Sequence, residues 1–121
     1  MKKLAVLLSL VASTLVAPSI SYAADEVNLY SARKEKLIKP LLDNFTKETG
    51  IKVNLVTAKA GPLLKRLETE GANSPADLFI TTDAGRLHKA KEAGVLQATT
   101  SEVLNTAIPA EYRDPEGYWY G

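Results

Sequence analysis

Three short segments carry the residues best suited to binding a ligand: Ser31-Ala32-Arg33-Lys34, Thr57-Ala58-Lys59-Ala60-Gly61 and Thr81-Thr82-Asp83. Each follows a run with strand propensity and precedes a run with helical periodicity. A helix start leaves backbone amides without intrahelical acceptors and carries partial positive charge, so it favours anions. Hydroxyls, amides and cations gathered at such starts suit an anionic ligand or a metal-bound anion. Ser31 and Asp83 serve equally well as helix caps with no ligand at all. In an open parallel sheet these segments fall at the carboxyl ends of the strands, where such sheets bind ligands. Ser31, Arg33, Lys34, Thr82 and Asp83 are therefore the expected ligand-binding residues, following the first and third strands.

Much other chemistry is excluded by residue type. The chain has no cysteine, which removes disulfides, thiol nucleophiles and zinc ribbons together. Its single histidine, His88, lies in a helical run beside Arg86, Lys89 and Lys91, which reads as a solvated face. No Gly-x-Ser-x-Gly elbow, phosphate loop or His-Glu metal motif occurs. Fifteen Lys and Arg against 14 Asp and Glu give a formal charge of +1, with no basic field for nucleic acid. At 45% hydrophobic and 24% charged residues, the composition is that of an ordinary folded domain. Tyr30 is expected to pack against a helix, and Tyr112, Tyr118 and Tyr120 lie in a weakly patterned tail.

The elements that must position the three segments alternate. Val27 to Tyr30 reads as a strand. Leu37, Ile38, Leu41, Leu42 and Phe45 then repeat with helical spacing, giving one apolar face. Pro40 falls inside that run, so the helix is expected to begin late or bend there. Thr49-Gly50 supplies a stop. Ile51 to Val56 is a second strand. Gly61-Pro62 opens a second helix with Leu63, Leu64 and Leu67 on its apolar face, ended by Gly71. Asn73-Ser74-Pro75 is a turn. Asp77 to Thr81 is a third strand with a continuous apolar centre, as expected when both sheet faces are covered. Asp83 caps a third helix stopped by Gly94. Pro109 and Pro115 break the following text, and Tyr118-Trp119-Tyr120 reads as the start of another strand that packs in the sheet. The order predicts an α/β domain with a parallel sheet.

The first residues read as an address. Lys2 and Lys3 precede an apolar run from Leu4 to Val16, and Ser21 and Ala23 place small residues before Ala24. That is the pattern of a secretory signal peptide, expected to span 1–23 and to be cleaved between Ala23 and Ala24. The run is shorter than the roughly 20 residues needed to cross a bilayer. Its removal takes two lysines and no acid, moving the charge from +1 to −1. Residues 24–121 are then expected to form an exported α/β segment. Because the chain stops inside what reads as a strand, it is expected to be the incomplete N-terminal part of a longer protein.

Five stretches, in order, carry a family likeness: Val27 to Arg33, Leu41-Leu42-Asp43-Asn44-Phe45, Thr49 to Val53, Ser74 to Phe79, and Ala93 to Gln97. Together they resemble the start of periplasmic ferric-iron-binding proteins, the solute-binding components of ABC importers. The resemblance implies two α/β lobes closing on ligand, with this chain holding part of the first. It implies a periplasmic location, peripheral contact with an inner-membrane permease, and ferric iron held with a synergistic anion. It implies no resident cofactor, no catalysis and no nucleic-acid partner. Resembling proteins bind iron through tyrosines from the later part of the chain, and some add His or His-Tyr directly after Tyr-Ser-Ala-Arg. Lys34-Glu35 stands there instead, and Thr82-Asp83 stands near where some members place a Glu. No metal ligand is therefore expected within this segment, and Arg33 and Lys34 are expected to neutralise an anion without touching iron. An anionic solute other than iron, an exported α/β enzyme and a non-functional remnant remain as alternatives.

Overall fold

The computed structural model describes residues 25–121, so the expected signal peptide lies outside the described residues. Strand β1 (Glu26–Ser31) is central. It pairs in parallel with β2 (Lys52–Thr57) on one side and β3 (Leu78–Ile80) on the other, giving the order β2-β1-β3. Helix α1 (Glu35–Thr49) connects β1 to β2, and α2 (Ala60–Glu70) connects β2 to β3. Helix α3 (Ala84–Glu92) and the short α4 (Glu102–Ala107) follow. The expected parallel α/β architecture is what the chain adopts.

The core forms where β1 meets α2. Tyr30 is buried with Leu63 and Leu67, and Val56, Ala76, Phe79 and Val95 pack around them. Alternation along β1 sends Leu29 to the opposite side, where it is also buried. The helix stops behave as their glycines require: Gly50 adopts φ 73° and its N–H donates to the Thr46 carbonyl at 2.8 Å.

Several expectations need correction. Helix α1 begins at Glu35 and runs through Pro40, so the late start is wrong. Only part of its apolar stripe meets the sheet. Ile38 is buried, while Leu37 and Leu41 remain 59% and 66% exposed. A three-stranded sheet is too narrow to cover so wide a stripe. For the same reason β3 is not covered on both faces: it is three residues long and Leu78 is 55% exposed. Its outer side has no strand neighbour among the described residues.

Tyr118-Trp119-Tyr120 does not start a strand in the sheet. Residues 113 and 120 form an isolated antiparallel bridge around a turn. The Asp114 carboxylate accepts the Tyr118 N–H at 3.0 Å, and the Gly117 N–H donates to the Asp114 carbonyl at 3.0 Å. Gly117 sits at φ 79°, and a β-carbon there would lie 2.6 Å from the Thr99 carbonyl oxygen. That turn directs the aromatic residues back on themselves. Lys91 of α3 fastens it by bonding Asp114 at 2.7 Å and Glu116 at 3.0 Å.

Candidate functional site

Because all three strands run parallel, their carboxyl ends open on one edge. After β1 the chain moves to β2 on one side, whereas β3 lies on the other. The β1–β3 boundary is thus the point where strand order reverses, and a crevice forms there in open α/β sheets. Ser31 to Lys34 and Thr81 to Asp83 flank that boundary, and the β2 segment Thr57 to Gly61 joins from the far side of β1. Two backbone bonds tie the three together: Ala32 N–H donates to the Ile80 carbonyl at 2.8 Å, and Ala58 N–H donates to the Ser31 carbonyl at 3.3 Å.

The five expected residues fare differently at this edge. Ser31 is completely buried, and its Oγ accepts the Arg33 N–H at 3.1 Å. It is therefore not the cap of α1, a position held by Lys34. Ser31 shapes the loop that presents Arg33. Arg33 and Lys34 are exposed and form no salt bridge with any described residue. Thr82 is exposed beside them. Asp83 caps α3: its Oδ1 accepts the Arg86 N–H at 2.9 Å, and its Oδ2 lies 3.1 Å from Arg86 Nε. The capping role anticipated for Asp83 is the one its geometry shows.

Sequence reasoning missed the rank of Lys59. It occupies the N-cap position of α2, as Lys34 does for α1, and neither side chain supplies a cap hydrogen bond. A lysine there forgoes the roughly 0.5–2 kcal/mol that Ser, Thr, Asp or Asn would contribute. It also sets a cation at the positive end of the helix dipole, an effect of about 0.3–1 kcal/mol. By contrast α3 and α4 carry ordinary caps, Asp83 and Ser101. Lys59 forms no salt bridge with a described residue either. The Lys-Ala-Gly-Pro text ahead of a leucine repeat was the signal available in the sequence. Local rules broken at adjacent helix starts are the pattern expected of a functional edge.

The edge is therefore anion-seeking. It offers three cations without carboxylate partners and two helix starts without side-chain caps; of the carboxylates nearby, Asp83 is engaged by Arg86 and Glu35 opens α1. Among the described residues no group of three or more His, Asp or Glu is arranged to hold a metal ion. Tyr30, the tyrosine nearest the edge in sequence, turns inward instead. Its hydroxyl donates to Glu70 at 2.8 Å, and burial, followed by that carboxylate, pushes its pKa above the ordinary value.

A parallel β2-β1-β3 sheet with connecting helices and exposed cationic loops at its carboxyl edge defines an α/β lobe. The family described as bacterial extracellular solute-binding protein matches residues 27–110, and the chain belongs to that family. Iron uptake protein A1 of Synechocystis sp. is 50% identical over 96 residues, which is 79% of this chain and 27% of that protein. The Fe(3+)-binding periplasmic protein of Serratia marcescens is 35% identical over 100 residues, 82% of this chain and 29% of that protein. The solved structure of a Trichodesmium protein (IdiA, FutA) in complex with iron and citrate ligands superposes with a TM-score of 0.76 at 53% identity, over 79% of this chain and 30% of that one. The chain thus spans less than a third of the length of these relatives. A thiamine-binding periplasmic protein of Brucella abortus is also 30% identical over 83 residues, 64% of this chain and 25% of that protein.

Proposed function

We propose that this chain forms the first-lobe side of a periplasmic binding site for ferric iron, acting in uptake through an ABC importer permease and catalysing no reaction. The observation that carries this reading is the 50% identity to an iron uptake protein across the same segment that builds the charged edge. The edge's contribution is to the anion that accompanies the metal. Arg33 and Lys34 meet its oxygens, Lys59 adds charge from the neighbouring helix, and Thr82 offers a hydroxyl. The donors that hold iron itself come from outside residues 25–121. This division follows from charge: a lysine ammonium repels a ferric ion and attracts its carboxylate or phosphate companion.

Titrating citrate, with and without ferric iron, into the chain by calorimetry tests the edge's part in this reading. Arg33→Ala is expected to weaken binding about tenfold, the effect of losing one charge-assisted hydrogen bond. Unchanged affinity in a folded variant would remove Arg33 from the site. A second reading, an anionic small solute in place of iron, is supported by the same segment recurring in a protein named for a cargo other than iron. Binding of iron-free citrate as tightly as ferric citrate would select it.

A further inference from the structure

A cavity of about 220 Å³ lies between the N-terminal halves of α2 and α3; it shares Ala60 and Gly61 with the Thr57–Gly61 segment of the edge but is lined by none of Arg33, Lys34, Lys59 and Thr82. Its walls are Ala60, Gly61 and Leu64 from α2 and Arg86 and Lys89 from α3, with Phe79 of β3 also lining it. We propose that this cavity is a second binding site, for a small organic anion with a flat apolar body, of the aromatic carboxylate type.

Charge and shape both enter. No carboxylate lines the cavity. Lys89 forms no salt bridge with a described residue, and Arg86 meets Asp83 only through Nε, leaving its terminal amino groups free to donate. Ala60 and Gly61 are the first residues of α2, so their N–H groups have no intrahelical acceptor and add positive potential. Phe79 and Leu64 provide the apolar surface on which a ring rests. A purely inorganic anion would leave that surface wet, and a neutral ring would leave the cations unanswered. The volume falls below the roughly 300–1,000 Å³ typical of drug-sized ligands, which restricts the occupant to a single small ring.

Gly61 makes the proposal testable without disturbing the fold. A β-carbon built there meets nothing within 4 Å, so a larger side chain enters open space. Its conformation is helical, which any residue adopts. Benzoate titrated into the full chain, followed by amide chemical shifts, is expected to give saturable shifts at Gly61, Leu64 and Phe79. Lys89→Gln should weaken binding about fivefold, the effect of one partly exposed charge. Gly61→Val should abolish the shifts while the rest of the spectrum stays folded. Inorganic phosphate and benzyl alcohol, each lacking one half of the chemistry, should bind more weakly than benzoate. The site is refuted if benzoate gives no saturable shift, if the shifts survive Gly61→Val, or if phosphate binds as well as benzoate. Ferric citrate at the strand edge reports on different amides, those of Arg33 and Lys34, so the two proposals fail separately.

Discussion

The hydroxyl of Tyr30 reaches both carboxylate oxygens of Glu70, at 2.8 and 2.9 Å, across the junction of β1 and α2. Arg66 completes the group: its Nε lies 2.9 Å from Glu70, and its guanidinium sits 4.8 Å from the centre of the Tyr30 ring. The only tyrosine of the central strand is thereby committed to holding the lobe together, with its oxygen turned away from the ligand edge.

Removing that hydroxyl should cost stability and nothing else. Tyr30→Phe keeps the ring and its packing, and Glu70 keeps Arg66. The loss is expected at about 1.5–3 kcal/mol, the range for a hydrogen bond to a charged group. Urea denaturation checks it through a lower midpoint at unchanged slope. An unchanged midpoint would mean the bond contributes nothing net.

Asp83 separates capping from ligand binding. Asp83→Ala should destabilise by about 1 kcal/mol, because the Arg86 amide loses its acceptor. Asp83→Asn retains an oxygen for that amide and should restore most of the loss. If instead both variants kept full stability and both altered ferric citrate affinity, the cap would be secondary and the carboxylate a ligand.

The turn at residues 114–117 depends on ionisation. Burial works against a charge on Asp114, but the Lys91 ammonium and the Tyr118 amide outweigh it and hold its carboxyl below the ordinary range. The same carboxylates raise the pKa of Lys91. A depressed acid stabilises the fold above its unfolded value, about 3.9 for aspartate, and that contribution is lost as pH falls through the lower folded value. Trp119 fluorescence should therefore report loosening of this segment below about pH 4. Asp114→Asn should show a loosened signal already at neutral pH, with no further acid step. An acid transition identical in the variant would place its cause elsewhere.

The strands, the helix stops and the three loops of the edge were legible because each rests on local chemistry. Gly50, Gly71 and Gly94 end helices wherever they occur, and the β-branched text of β2 has one reading. What was not legible depends on neighbours. Leu37 and Leu41 match the helical repeat as well as Ile38 does, and only the width of the sheet decides which of them is covered. The tail misled for a related reason: Tyr118-Trp119-Tyr120 has strand propensity, but Asp114 and Gly117 close a turn whose bonds to Lys91 span 23 and 25 residues. At the site, Arg33 and Lys34 could be placed from the alternation of strands and helices. The burial of Ser31 could not, since it follows from β1 being central.

The central claim is that the carboxyl edge of the sheet receives an anion that accompanies iron. Citrate loaded with gallium, a diamagnetic stand-in for ferric iron, tests it most directly when titrated into the labelled chain and followed by amide chemical shifts. The account predicts saturable shifts at Arg33, Lys34 and Thr82, with similar shifts from iron-free citrate at higher concentration and their loss in Arg33→Ala. Shifts confined to other surfaces, or edge shifts of equal size in Arg33→Ala, would contradict it.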